Sequence, residues 1–216
     1  MKVNSMKNNF KLLMNNNSKM KKANKLNDGA NTFEFCLPDA KSKSGETICF
    51  GAGKCLEFCY INKGFYLIPA VQAKHEQNYN YSKQDNFAEL IQNEIDSKRK
   101  KITHIRIHSG GDFYNKKYLF KWLEIAKNNP DIIFYCYTKS IPLFKKNIKL
   151  IDSINNFKYC YSLGGKFDFM IDKIKDNFSK VFQTGEQLLK EGFINASDND
   201  FISFNESNNK IGLIYH

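Results

Sequence analysis

Short apolar strands alternate with amphipathic helices along most of this 216-residue chain. The clearest strand is residues 102–108 (ITHIRIH), where apolar and polar residues alternate, and an amphipathic helix follows at 115–128. The continuous apolar run at 132–137 is typical of a strand buried on both faces of a parallel sheet. Repeated strand–helix units predict an α/β fold with parallel strands, and five or six of them form a partial (βα) barrel.

The same periodicities, with Gly and Pro as breaks, assign the remaining elements. We expect further strands at 32–37, 157–163, 181–182, 201–204 and 211–215, and further helices at 54–63, 69–78, 87–98, 142–154, 167–178 and 185–191. Residues 1–30 are rich in Lys and Asn and weakly patterned. The sequence therefore predicts a basic, weakly ordered N-terminal segment at 1–30 and a single α/β domain at 31–216.

The net charge of +11 is concentrated at the start of the chain, where the first 25 residues carry seven Lys and no acid. Such a segment makes weak, non-specific contacts with nucleic acid, or it is simply a solvated arm. We favour the solvated arm, because Arg, which recognises phosphate in a bidentate manner, occurs only at Arg99 and Arg106. No apolar run is long enough for a membrane span and no apolar stretch follows the basic N-terminus, so we expect a cytoplasmic protein without membrane contact.

Three of the six cysteines, Cys49, Cys55 and Cys59, lie within eleven residues of a loop that contains Gly51 and Gly53. Clustered thiols in a reducing compartment indicate a soft metal or an iron–sulfur cluster. Three ligands leave one iron of a cubane cluster open. The alternatives are a structural zinc, which usually has four ligands, and no metal at all. Cys136 and Cys160 lie in apolar strands and are interpreted as buried, inert thiols.

Other candidate residues follow predicted strands. In a barrel of this type the carboxyl ends of the strands form one rim that carries the active site. The segment 109–112 contains Gly110, Gly111 and Asp112, which bind the amino group of a ligand, form a tight turn with Asp112 as a helix cap, or do both. The rim also collects Cys36 and residues 138–140 and 162–165, and the loop at 49–59 reaches it. Cys36 is either a fourth cluster ligand or a buried strand cysteine.

The cysteine loop and the Gly-Gly-acid turn together resemble the radical S-adenosylmethionine superfamily. That superfamily has a three-cysteine loop after its first strand, an aromatic residue before the third cysteine, matched by Phe58, and a Gly-Gly-acid motif after its second strand. Here the cysteine spacing is wider than the superfamily's usual one, and the acid is Asp instead of Glu. More closely, residues 30–216 resemble a family of phage proteins named only by a gene-product number, which places the protein in an infected host cell.

The superfamily resemblance implies a [4Fe–4S] cluster on Cys49, Cys55 and Cys59, with S-adenosylmethionine on the fourth iron. It implies that Gly110, Gly111 and Asp112 hold the amino group of this cofactor and that Phe58 lies near its adenine. Its carboxylate or ribose would be contacted by residues at the ends of later strands: Thr138, Lys139 and Ser162. Such an enzyme needs a reductant and cleaves S-adenosylmethionine reductively to a radical that abstracts hydrogen from a substrate.

The sequence does not identify the substrate. Because 216 residues leave no separate substrate domain, a macromolecule docked at the open edge is one expectation. Two other functions stay open: a non-catalytic iron–sulfur protein in electron transfer or structure, and a basic nucleic-acid-binding protein whose metal is structural.

Overall fold

The computed structural model describes residues 11–15, 17–204 and 210–215, apart from the side chain of Phe58. It is a mixed α/β protein with one seven-stranded sheet, in which all neighbouring strands run parallel in the order β1-β2-β3-β4-β5-β7-β6. The strands are β1 Thr32–Phe35, β2 His104–Ile107, β3 Ile133–Thr138, β4 Phe157–Ser162, β5 Phe178–Phe182, β6 Ile194–Asn195 and β7 Lys210–Ile214. The helices are α1 Ser18–Leu26, α2 Pro69–Lys83, α3 Phe87–Lys98, α4 Lys116–Lys127, α5 Ile141–Lys146, α6 Ile148–Asp152 and α7 Gly185–Lys190.

Sequential parallel strands place the main core on one face of the sheet, because right-handed crossovers return each helix to the same side. Alternate strand residues, among them Phe35, Ile107 and Phe134, point into this core. They meet Trp122 of α4, whose ring lies 5.3 Å from that of Phe35 and 6.4 Å from that of Phe134. None of the described helices is long and apolar enough to cross a membrane.

The opposite face of the sheet is unusually polar, and α1 and the 3-10 turn Asp200–Phe204 contribute to covering it. Arg106 of β2 donates to Asp200 at 2.7 Å, and Lys19 of α1 forms an ion pair with the same carboxylate at 2.7 Å. The hydroxyls of Tyr135 and Tyr137 also donate to Asp200. This buried group ties the N-terminal helix to the chain that precedes β7.

Four predicted elements differ from the structure, and in two of them short polar side chains bond the local backbone instead of permitting a regular element. Residues 167–178 contain only the 3-10 turn Asp168–Met170 instead of a helix, since Asp172 accepts from the N–H groups of Ile174 and Lys175. Residues 201–204 form a 3-10 turn, not a strand, with Asn199 accepting from Phe201 N. The predicted helices at 54–63 and 142–154 are broken into successive shorter elements.

Helix α1 was not anticipated and lies inside the segment predicted to be weakly ordered. Just before it, Leu12 and Leu13 are buried, and their N–H groups donate to the Glu94 carboxylate of α3. Met14 forms a two-bond antiparallel bridge with Glu34, which lies on the edge strand β1. Residues 1–10 lie outside the described part of the chain, and a boundary at residue 30 stays a prediction.

Candidate functional site

The loop that carries the three cysteines, here called the cysteine loop (residues 49–59), follows β1 and lies on the ends of later strands. Cys55 N donates to Gly164 O at 3.2 Å, and Lys166 N donates to Gly51 O at 2.9 Å. Ala52 and Gly165 form an antiparallel bridge. Two 3-10 turns, Lys54–Phe58 and Tyr60–Asn62, then carry the chain past the third cysteine. The cysteine loop is therefore fixed to the segment that follows β4.

This close approach requires glycine on both sides. A Cβ atom on Gly51 would lie 2.0 Å from the carbonyl oxygen of Lys139, and one on Gly165 would lie 2.7 Å from Gly51 O. Both obstacles are backbone atoms, which cannot move aside as a flexible side chain can. The glycines of the loop thus set how near the thiols come to the carboxyl ends of β3 and β4.

Asp168 is a supporting residue that the sequence analysis missed. Its carboxylate accepts from Gly164 N at 2.8 Å and from Gly165 N at 3.0 Å, which fixes the turn against which the cysteine loop packs. An acid three residues after a Gly-Gly pair is a recognisable signal for such a side-chain-capped turn. The helix that we predicted across this position hid it.

The three thiols lie close enough together to affect one another's pKa values. Burial raises the pKa of the Cys49 thiol well above its ordinary value, and the charges of Asp112, Cys59 and Cys55 raise it further. Burial also raises the pKa of Cys59, with Asp39 and Cys55 adding to the effect. Lys139 acts in the opposite direction on both thiols. The uncharged thiol is therefore the favoured form, and Cys49 Sγ donates to Asp39 O at 3.1 Å.

The donor set can be compared with the groups that the sequence suggested. Among the described residues, no three His, Cys, Asp or Glu side chains are placed to bind one metal ion. A structural zinc needs four donors around a single ion, so these residues do not fit it well. In an iron–sulfur cluster each cysteine binds a different iron atom, so the sulfurs surround the cluster instead of converging on one ion. Three neighbouring thiols on one loop fit such a cluster, provided that binding displaces their protons.

The turn after β2 is tightly packed at its two glycines. A Cβ atom on Gly110 would lie 2.5 Å from Ile61 Cδ1, and one on Gly111, at φ 81°, would lie 2.5 Å from Leu37 Cβ. Gly110 O accepts from Leu37 N at 2.9 Å. The turn therefore lies between the end of β1 and the 3-10 turn Tyr60–Asn62, which follows the cysteine loop.

Asp112 links the ends of β2 and β3. Its Oδ1 accepts from Phe113 N and from Thr138 Oγ1, both at 2.7 Å, and its Oδ2 accepts from Lys139 N at 2.8 Å. Burial nevertheless raises the pKa of this carboxyl group. The alternative role of Asp112 as a helix cap is wrong, because Asn115 caps α4 by accepting from Tyr118 N.

The structure places most of the remaining predicted site residues. Thr138, Lys139 and Ser162 come together at the ends of β3 and β4, where Lys139 Nζ donates to Ser162 Oγ. Cys36 is buried behind the Gly110 turn, and its thiol pKa is raised by burial and by Glu34. The Phe58 side chain lies outside the described part of the structure. Cys136 and Cys160 are buried as predicted.

One comparison with known proteins gave a match. The model of a phage protein family described as Gene product 88 matches residues 11–215. No curated protein and no solved structure matches the chain. The match covers nearly the whole chain and states no reaction, so the chemistry has to be argued from the site.

Proposed function

The chain belongs to the Gene product 88 family of phage proteins, and from this premise we propose that it is an iron–sulfur protein with the chemistry of radical S-adenosylmethionine enzymes. In this proposal Cys49, Cys55 and Cys59 bind a [4Fe–4S] cluster whose fourth iron takes S-adenosylmethionine. The substrate is a separate molecule, and the protein acts in the cytoplasm of the infected host.

One observation carries the proposal: three neighbouring thiols lie on a glycine-packed loop at the carboxyl ends of parallel strands, beside a buried acid and a lysine. Asp112 and Lys139 both act on the Cys49 thiol, Asp112 raising its pKa and Lys139 lowering it. Such a juxtaposition of soft ligands, charge and strand ends is typical of a cofactor site in an α/β protein.

Contacts across the polar face support the expected curvature into a partial barrel. In a flat sheet, the four strand spacings from β2 to β7 amount to about 19 Å. Yet the segment after the cysteine loop reaches both sides: Ile61 packs on Gly110 after β2, and Lys63 Nζ lies 4.3 Å from the ring centroid of Tyr215, which follows β7. A short segment spans these points if the sheet is strongly curved.

Each residue then has a role toward the cofactors. When bound, the cluster would supply the electron that cleaves S-adenosylmethionine reductively. Among the residues that the structure describes, Asp112 Oδ2 accepts one bond, from Lys139 N, and its remaining lone pair suits the amino group of S-adenosylmethionine. Lys139 and Ser162, already paired, suit its carboxylate and ribose. Phe58 is assigned to the adenine by the superfamily pattern alone.

Anaerobic reconstitution with iron and sulfide tests the cluster. The wild type should turn brown and bind about four iron and four sulfide per chain. Cys49→Ser, Cys55→Ser and Cys59→Ser should each lose most of this iron, whereas the buried controls Cys136→Ser and Cys160→Ser should keep it. A colourless, zinc-loaded wild type, or equal iron in all five variants, would overturn the proposal.

Cofactor cleavage is a separate step with its own measurement. Reconstituted protein with dithionite and S-adenosylmethionine should release 5′-deoxyadenosine, and S-adenosylmethionine should change the electron paramagnetic resonance signal of the reduced cluster. An intact cluster with neither result would leave the non-catalytic iron–sulfur protein, our second candidate.

Cys36 distinguishes these two candidates, because a fourth cysteine ligand would close the cluster to S-adenosylmethionine. Cys36 is buried at the end of β1 and lies outside the cysteine loop, whereas Cys49, Cys55 and Cys59 are all partly exposed. We therefore expect Cys36→Ser to leave the cluster spectrum unchanged. An altered spectrum would favour the closed cluster.

A further inference from the structure

An uncharged, apolar stretch of surface follows the cysteine loop. Residues 64–73 (GFYLIPAVQA) carry no charged side chain, although 25% of the whole chain is charged. Within it Phe65 is 59% exposed, Leu67 52% and Ile68 43%. The next two residues, at the start of α2, are exposed as well. Large apolar side chains grouped in this way on a protein surface mark a place of interaction.

The three large side chains belong to one short turn. The 3-10 turn Gly64–Leu67 ends at Ile68, whose N–H donates to Phe65 O at 3.2 Å. Side chains three residues apart are eclipsed in a 3-10 helix, so Phe65 and Ile68 share one side of the turn. Tyr66 packs in the other direction, with its ring 5.9 Å from that of the buried His75. The outward side chains, here called the apolar turn, are therefore Phe65, Leu67 and Ile68.

The apolar turn lies close to the third thiol of the cysteine loop. Asn62 N donates to Cys59 O at 3.1 Å, and Tyr66 N donates to Lys63 O at 3.2 Å, so the connecting chain runs in successive tight turns. At about 2 Å per residue, the six residues from Cys59 to Phe65 span roughly 12 Å. An electron therefore has only a short path from a molecule on the apolar turn to a cluster on the cysteine loop.

The size of the apolar turn is too small for a stable dimer. With ~200 Å² for each large side chain, the exposed fractions of its three residues amount to roughly 300 Å². A stable protein–protein interface buries about 800 Å² on each partner, whereas electron-transfer encounters are smaller. The apolar turn therefore suits a partner that binds briefly and leaves.

We propose that the apolar turn is the docking site of an acidic, flavin-containing electron carrier of the flavodoxin type. The carrier's anionic flavin hydroquinone would give one electron and become the neutral semiquinone, while the cluster would be reduced from [4Fe–4S]²⁺ to [4Fe–4S]⁺ and no proton would move. This inference rests on the proposed function, because only a cluster on the cysteine loop needs that electron.

Two properties of the chain favour this partner. The dimethylbenzene edge of a flavin is apolar, and the apolar turn offers it a surface on which no charge has to be desolvated. The net charge of +11 attracts an acidic protein from a distance and so speeds a short-lived encounter.

Cluster reduction by flavodoxin hydroquinone, followed by the electron paramagnetic resonance signal of the reduced cluster, tests the docking site. Phe65→Ser/Leu67→Ser should lower the reduction rate about fivefold or more, because the contact surface loses its apolar anchors. The matched control Leu26→Ser/Leu189→Ser, at positions 63% and 69% exposed, should stay within about twofold of the wild type. Equal rates in the wild type and the first variant, or equal losses in both variants, would overturn the proposal.

Dithionite separates the docking site from the proposed function, because this small reductant needs no protein surface. Dithionite-driven release of 5′-deoxyadenosine should differ by less than about twofold between the wild type and Phe65→Ser/Leu67→Ser. An equal loss with dithionite and with flavodoxin would overturn the docking site, since the apolar turn would then act on the cofactor site itself. A wild type without cluster or cleavage would instead overturn the proposed function. Direct binding of flavodoxin to the wild type but not to the variant would then still support the surface, and equal or absent binding would overturn it.

Other occupants of the apolar turn give different results. A wild-type dimer that becomes a monomer in Phe65→Ser/Leu67→Ser, measured by sedimentation, would assign the surface to a second copy of the chain. A loss of reduction by a ferredoxin, with reduction by flavodoxin unchanged, would assign it to an iron–sulfur carrier. Binding to phosphatidylglycerol vesicles that only the wild type shows, again with unchanged reduction by flavodoxin, would assign it to a membrane. Each of these results would overturn the proposal.

Discussion

Gly51 determines how the cysteine loop sits on the sheet. Its neighbour across the contact is the carbonyl oxygen of Lys139, and Lys139 N in turn donates to Asp112. A side chain at position 51 would therefore push the cysteine loop away from the strand end that also positions the acid. Lys139, directly after β3, therefore contacts both the cysteine loop and the Gly-Gly-Asp turn.

We expect Gly51→Ala to lower the free energy of unfolding by about 1–3 kcal/mol, because the added methyl group meets backbone. Urea unfolding followed by the fluorescence of the single tryptophan, Trp122, measures this. Gly185→Ala is the matched control, since its Cβ atom would lie 3.6 Å from Ile214 at the start of helix α7. It should change stability by less than about 1 kcal/mol or raise it. Equal costs for both substitutions would contradict the packing argument.

His108 has a φ of 69°, which is unusual for a residue other than glycine. This conformation interrupts the alternation of β2: His104 stacks on Phe201 on the polar face, whereas His108 packs against Phe113 and Tyr118 in the core. Its Nε2 lies 2.7 Å from the Tyr118 hydroxyl, and burial lowers the pKa of the ring to about 3. The histidine is therefore neutral and buried instead of pointing into the site.

This burial predicts a pH dependence. Unfolded His108 takes up a proton below about pH 6.5, but the folded ring stays neutral down to about pH 3, so acid favours unfolding in that window. The free energy of unfolding should fall by about 1.4 kcal/mol per pH unit for this group alone. His108→Asn should remove that part of the slope between about pH 6 and 4. Tyr118→Phe should keep it, and an unchanged slope in His108→Asn would contradict the assignment.

At the scale of elements, α1 is joined to the chain before β7 by two ion pairs that differ in burial. Lys19 pairs with Asp200, which is fully buried and also binds Arg106. Lys22 pairs with Asp198 at 3.0 Å, but both side chains are more than half exposed. The same helix thus offers a buried and an exposed pair to the same segment.

Lys19→Ala should lower the free energy of unfolding by about 2 kcal/mol, since it leaves a buried carboxylate with one cation less. Lys22→Ala should cost less than about 0.5 kcal/mol, because water and salt screen the exposed pair. Thermal or urea unfolding of the two variants compares them directly. If Lys22→Ala lowered the free energy of unfolding more than Lys19→Ala, the importance assigned to the buried ion pair with Asp200 would be contradicted.

At the scale of the whole molecule, a single main core runs from Leu12 in the N-terminal segment to Phe193 before β6. Leu13 is 2% exposed within it, although its segment was predicted to be weakly ordered. The basic N-terminal region of the sequence therefore includes residues that the fold needs.

Leu13→Ala should lower the global stability by about 2–4 kcal/mol, with Trp122 fluorescence and far-ultraviolet circular dichroism changing together. Leu26→Ala, in the same segment but 63% exposed, should be within about 0.5 kcal/mol of the wild type. If Leu13→Ala left the main transition unchanged, residues 11–26 would be an independent arm.

The sequence by itself determined the parallel α/β fold and most of its elements, because strand and helix periodicities are local properties. Strand β3 begins one residue after the predicted one, and helix α3 has the predicted bounds, Phe87–Lys98. The cysteine spacing and the Gly-Gly-Asp turn were equally local signals. Since parallel strands end at one edge, they also indicated which residues would gather there.

The tertiary structure decided what local patterns do not contain. The partners of Asp112, the approach of Gly51 to Lys139 and the support from Asp168 all join residues that are distant in the chain or hidden by a wrong helix assignment. The burial of Lys19 and Leu13 depends on the surface against which their segment packs. Long-range packing also left the rings of Phe65 and Phe169 exposed, although hydrophobic composition alone would have predicted core residues.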